Sequence, residues 1–138
     1  MGCPVIWCSK LQTSIAQSTM EAEYTALSMS LRAAIPLLEV AKAITNGLGQ
    51  LTRSRLVTFK ATVHEDNQGA LSLATSPVGR DTPRPKFYAL KLHWFRSWLE
   101  PKAVEIKYCK SENQKADFLT KSMPTQAYKA NRKLSMGW

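Results

Sequence analysis

Apolar residues recur at helical spacing from Thr19 to about Thr45, with Leu27, Leu31, Ala34, Leu38 and Ala41 along one stripe. The stripe predicts a long helix with one buried face. Ser18 and Glu21 stand three apart at its start, the spacing of a capping box. Pro36 removes one backbone donor and predicts a kink or a split. Asn46-Gly47 reads as the stop, and 49–55 as a loop. From Leu56 to His64 the period changes to two, with Val57, Phe59, Ala61 and Val63 alternating with more polar neighbours, which predicts a strand. Val5 to Cys8 and Ala103 to Cys109 are two further β-favouring runs, the second with Val104, Ile106 and Tyr108 on one face. Asn67 to Ala74 and Lys86 to Glu100 read as helices. The segment between them, Thr75 to Pro85, carries three prolines and one glycine and reads as a loop. Ser111 or Asn113 caps a helix expected to run through Lys121, and Pro124 opens a last basic helix ending near Met136.

Composition narrows the class. The chain has 138 residues, of which 44% are hydrophobic, enough for one domain with a core. Lys and Arg number 19 against 10 Asp and Glu, a net charge of +9. The excess is uneven. Residues 1–79 hold six basic and five acidic side chains, and residues 80–138 hold thirteen and five. That asymmetry favours a polyanionic partner, with nucleic acid foremost, and the plainer reading is a solvated basic face. A basic face that contacts ~4 phosphates gives a log–log salt slope of about −3 to −4. Cys3, Cys8 and Cys109 form no CxxC pair and read as reduced thiols, which points to an intracellular compartment, cytoplasmic or nuclear. No apolar run reaches membrane-spanning length and no signal peptide is visible.

Three acidic motifs stand out against this basic background. They are Ser18-Thr19-Met20-Glu21-Ala22-Glu23-Tyr24, Glu65-Asp66-Asn67-Gln68, and Gln114-Lys115-Ala116-Asp117-Phe118-Leu119-Thr120-Lys121. Each sets a carboxylate at or beside a helix start, and carboxylates in a basic surface suit metal ions acting on phosphates. Each also has a local explanation. Glu21 completes the capping box. Glu23 and Asp117 lie in first turns, where the helix dipole favours negative charge. Asp66 stands where an N-cap is expected. Alternation from Val63 puts Glu65 on the Val63 face and Asp66 on the other. His64 reads as a strand-end surface residue or as a neighbour tuning Asp66, and His93 as a packing or backbone-contact residue. The aromatics from Phe87 to Trp98 read as core packing through Tyr88, Phe95 and Trp98, or as a base-stacking surface.

The order of these motifs resembles the ribonuclease H domain of copia-type retrotransposon polyproteins. Pro4 to Gln12 resembles the strand before that family's Ser-Thr-x-Glu-Ala-Glu-Tyr helix. Ser18 to Leu27 matches the helix motif, with Met20 at the variable position. Glu65 to Ala70 resembles the Asp-Asn-Gln block. Lys86, Ala89, Leu90, Lys91, His93, Phe95, Arg96 and Ser97 match the basic aromatic helix. Gln114, Ala116, Asp117, Thr120 and Lys121 match the C-terminal motif, and Gly137-Trp138 resembles the polyprotein terminus. Phe87 replaces a residue that is often His there, and Ser122 a common Pro.

The resemblance implies that Glu23, Asp66 and Asp117 are catalytic metal ligands. It also implies that Lys86, Lys91, Arg96 and Lys121 contact nucleic acid. It implies two magnesium ions in the complete domain, with manganese as the alternative, and an RNA–DNA hybrid substrate. A reverse transcriptase domain would lie upstream in the parent polyprotein. The family's first catalytic Asp stands on a strand upstream of the segment that begins here at Gly2. Neither that strand nor its hairpin partner is among these residues. The expected fold is therefore a ribonuclease H-like α/β domain over 1–138, a mixed sheet flanked by helices, N-terminally truncated. The expected activity of the fragment alone is none. A non-catalytic nucleic-acid-binding remnant, or a retrotransposon relic without selected function, is the alternative.

Overall fold

The computed structural model describes residues 4–13, 15–52, 59–76, 94, 97, 99 and 103–137. They group into two compact units, Ala16–Tyr108, and Met1–Ile15 with Cys109–Trp138.

The larger unit begins with helix α1, Thr19–Thr52. Ser18 caps it, its Oγ accepting from the Glu21 backbone N–H at 3.2 Å. The carboxylate half of the expected box reaches one residue further back, since the Gln17 N–H donates to Glu21 Oε2 at 2.7 Å. The helix continues through Pro36 and past Asn46-Gly47, so the stop expected there is not used. Pro36 is exposed, which puts its missing donor on the solvent side. Gly47 does not take the left-handed conformation that ends helices, unlike Gly137 at φ +82°. The buried stripe is Tyr24, Leu27, Leu31, Ile35 and Leu38. Ala34 and Ala41, expected on it, are only half-buried, while Tyr24 and Ile35 take places on it.

Strand β1, Ala61–Glu65, is shorter than expected. Phe59 and Lys60 precede it outside the ladder, and 56–58 lie outside the described residues. Helix α2, Gln68–Thr75, follows with Asn67 as its N-cap, Asn67 Oδ1 accepting from the Ala70 N–H at 3.0 Å. Strand β2, Val104–Tyr108, pairs in parallel with β1, Val63 opposite Ile106 and Glu65 opposite Tyr108. A parallel pair needs a long crossover, and the chain from Asp66 to Ala103 supplies it. The core joins the α1 stripe to Ala70, Ala74 and Val104, with Phe59, Ala61, Val63, Leu73, Leu99, Ala103 and Ile106 packed against it. This is a mixed α/β arrangement with a small parallel sheet flanked by helices, consistent with the expected ribonuclease H-like class.

The smaller unit contains a short 3₁₀ turn, Ser111–Asn113, then α3, Asp117–Thr120, and α4, Thr125–Met136. The single helix expected to end at Lys121 is broken at Gln114, whose backbone is extended. Helix α4 opens after Pro124 and closes on Gly137, whose N–H donates to Lys133 O at 2.8 Å. Phe118 and Tyr128 meet edge to face, 6.0 Å between ring centres. Val5 to Cys8 is not a strand. Val5, Ile6 and Trp7 are 82%, 60% and 70% exposed. β-favouring composition alone does not make a strand, which needs a partner ladder and a face to bury.

Candidate metal centre

β1 ends at Glu65, and the chain turns at once into α2. That turn sets two adjacent carboxylates on different faces. Glu65 follows Ala61 and Val63 on the inward side and is buried, 5% exposed. Its Oε1 accepts from the Asn67 N–H at 3.0 Å, so the turn backbone fixes the side chain. Asp66, the next residue, is half-buried. Asn67 takes the N-cap position, so the capping explanation for Asp66 does not apply. Glu23 arrives from the first turns of α1, half-buried and next to the fully buried Tyr24. Carboxylate oxygens of Glu23, Glu65 and Asp66 all lie within 4.8 Å of one another.

A glycine stands where these elements approach. A Cβ on Gly69 would stand 3.1 Å from Met20 Cγ and 3.2 Å from Asn67 Oδ1. The bare Gly69 backbone lets the first turn of α2 close on the start of α1, the helix that carries Glu23.

Three carboxylates this close repel unless protons or cations intervene. The Glu65 carboxyl is pushed up from 4.5 to about 7. Burial is the main cause, and the charges of Glu23 and Asp66 add to it, against a lowering by the Asn67 N–H. The folded state therefore holds the Glu65 proton more tightly than the unfolded chain does. This stabilising contribution is complete below about pH 4.5 and is lost as pH rises through about 7. In metal-free buffer, urea unfolding is expected to show stability falling across that window. Glu65→Gln, which cannot ionise, is expected to flatten the fall, and an unaltered slope in the variant would contradict the assignment.

The sequence named Glu23 and Asp66, and the structure brings them together. It adds Glu65 to the cluster, a residue that the sequence did not single out. The available clue was its place on the Val63 face, where a carboxylate needs a reason to be buried. Glu21 is also buried, and its bond from the Gln17 N–H accounts for it locally. His64 is exposed and alternates away from Glu65. Asp117 belongs to the smaller unit, at the first position of α3, with Oδ2 2.8 Å from Lys121 Nζ. Lys121, expected at nucleic acid, is thus already paired with an acid. Lys86, Lys91 and Arg96 lie outside the described residues, as do Tyr88, Phe95, Trp98 and His93. Trp94 is 37% exposed, with the Arg32 guanidinium 5.5 Å from its ring centre. Cys8 and Cys109 are not joined in a disulfide. Among the described residues no helix is long and apolar enough to cross a membrane.

Comparison with known proteins gives a consistent picture. The chain is 28% identical over 133 residues to a retrovirus-related Pol polyprotein from transposon TNT 1-94 of Nicotiana tabacum, covering 96% of this chain and 9% of that protein. It is 27% identical over 125 residues to the Pol polyprotein from transposon RE1 of Arabidopsis thaliana, covering 91% of this chain and 8% of the relative. It is 28% identical, over the same shares, to that from transposon RE2 of the same plant. The chain thus spans less than a tenth of the length of these relatives. No family model matches the chain. No solved structure matches it.

Proposed function

We propose that this chain is the ribonuclease H-like part of a copia-type retrotransposon Pol polyprotein, carried downstream of a reverse transcriptase. In the complete domain it would cleave the RNA strand of RNA–DNA hybrids. The observation that carries this reading is the trio Glu23, Glu65 and Asp66, with ligand oxygens within 4.8 Å at the end of a parallel strand. Strand ends in α/β sheets are where reacting groups collect. The similarity to transposon Pol polyproteins over most of the chain supports the same assignment.

The donor set fits magnesium or manganese. All three groups are hard carboxylate oxygens, with no thiol or imidazole among them, and together they supply the charge a divalent cation neutralises. Asp117 is the further carboxylate that the resemblance adds to this set. Bound divalent cations would lower the pKa of a water and stabilise charge on the phosphate under attack. The protein's own part is positioning. The Asn67 N–H orients Glu65, the capped first turn of α1 sets Glu23, and the β1–α2 turn presents Asp66. The basic segment 80–138 would hold the duplex backbone. Its charge also favours a second reading, a nucleic-acid-binding module without catalysis.

One fusion separates the two. The stretch that precedes the matched segment in the tobacco relative is joined ahead of residue 1. Magnesium-dependent cleavage of the RNA strand of a hybrid, with DNA duplex left intact, is the expected result. Hybrid binding without cleavage by this fusion would favour the second reading.

A further inference from the structure

We infer that α4 is a phosphate-contacting helix, a nucleic-acid surface carried by side chains outside both the carboxylate trio and the four basic residues named from sequence. The inference rests on the nucleic-acid reading above and adds where part of the backbone is held.

The unit formed by residues 1–15 and 109–138 carries seven Lys and Arg against two acids in 45 residues, a denser positive excess than the twelve against eight of residues 16–108. Helix α4 itself carries Lys129, Arg132 and Lys133 and no acid. Its inner face is marked by Asn131, which is buried at 8% exposure. The outer face then presents Gln126, Lys129, Ala130 and Lys133, all exposed. Lys129 and Lys133 are one helical turn apart, so their ammonium groups repel when no anion stands near. Among the described residues neither has an acidic partner, whereas Lys42, Lys107 and Lys121 each do. Position at the helix C-terminus accounts for a charge on Lys133, in the last turn, and not for one on Lys129.

Tyr128, 43% exposed, lies about 100° round the helix from Lys129 and packs its ring edge to face against Phe118, so it belongs to the side turned toward α3. The same helix is poorly suited to a lipid surface. Its exposed apolar side chains of any size are Tyr128 and Leu134 alone, too little to anchor it in a bilayer interface.

The test is fluorescence anisotropy of a labelled RNA–DNA hybrid titrated with the full chain over a range of salt concentrations. The wild type is compared with the double variant Lys129→Gln, Lys133→Gln and with the charge-keeping pair Lys129→Arg, Lys133→Arg. Two lost phosphate contacts are expected to reduce the steepness of log affinity against log salt by about 2. The arginine pair is expected to keep the wild-type slope, and Mn²⁺ binding is expected to be unchanged in both variants. A wild-type slope in the glutamine pair would overturn the inference and leave the proposed function standing. Absence of hybrid binding by the wild type at low salt would overturn both. Loss of binding to phosphatidylserine vesicles in the glutamine pair, with the hybrid slope intact, would assign α4 to a membrane surface instead and overturn the inference.

Discussion

Mg²⁺ or Mn²⁺ is expected to stabilise the folded chain by about 2.7 kcal/mol at a hundredfold excess over its dissociation constant. For a domain of this size that corresponds to roughly 8–13 °C in melting temperature. The gain should be largest above about pH 7, where Glu65 ionises inside the cluster. There the three carboxylates repel most, and a cation turns that repulsion into attraction. Below that pH the cation must displace the Glu65 proton, so the shift should shrink. Asp66→Asn and Glu23→Gln each remove a ligand and should lose most of the gain. Differential scanning fluorimetry with and without cation measures it. An equal shift in wild type and Asp66→Asn would mean that the ion binds elsewhere.

The second large effect concerns cleavage. The 138-residue chain alone is expected to leave an RNA–DNA hybrid uncut in magnesium. Its three Asp are Asp66, Asp81 and Asp117, and none precedes the β1 strand. The resemblance calls for an Asp on an earlier strand, and a pair of ions that share ligands is weakened as a pair when one is missing. In the fusion that supplies the upstream stretch, Asp66→Asn is expected to cost on the order of 4 kcal/mol of transition-state stabilisation, about a thousandfold in rate. A gel assay on a labelled hybrid reads both. Magnesium-dependent cutting by the isolated chain, lost on Asp66→Asn, would show that the carboxylates present already suffice.

Much of the larger unit was legible in the sequence because two simple periods govern it. The α1 stripe and the β1 alternation each follow from burying one face, and the Ser18 cap follows from the need to satisfy the first backbone donors. The misses have physical causes. The helix outran Asn46-Gly47 because a glycine ends a helix only where the backbone turns left-handed, and sequence does not reveal that choice. Val5 to Cys8 failed as a strand because strand propensity depends on a partner. The segment after Lys110 broke into a 3₁₀ turn and a short helix, where local polar residues offered no periodic face.

The site was legible in two of its three joined carboxylates. Glu23 and Asp66 stood in motifs whose order was informative. Glu65 was hidden because its neighbour Asp66 matched the motif better, although its alternation already put it inside. Asn67, and not Asp66, caps α2, a choice between two adjacent capping residues that sequence does not reveal, and this removes the everyday explanation for Asp66.

We propose that Glu23, Glu65 and Asp66 together hold a divalent cation. Electron paramagnetic resonance of Mn²⁺ titrated into the chain above pH 7 tests it most directly, since free Mn²⁺ gives a sharp signal that protein binding broadens. Saturable binding by the wild type, weakened at least about tenfold (about 1.4 kcal/mol) in both Asp66→Asn and Glu65→Gln, is the predicted result. Equal Mn²⁺ affinity in the wild type and both variants would contradict it.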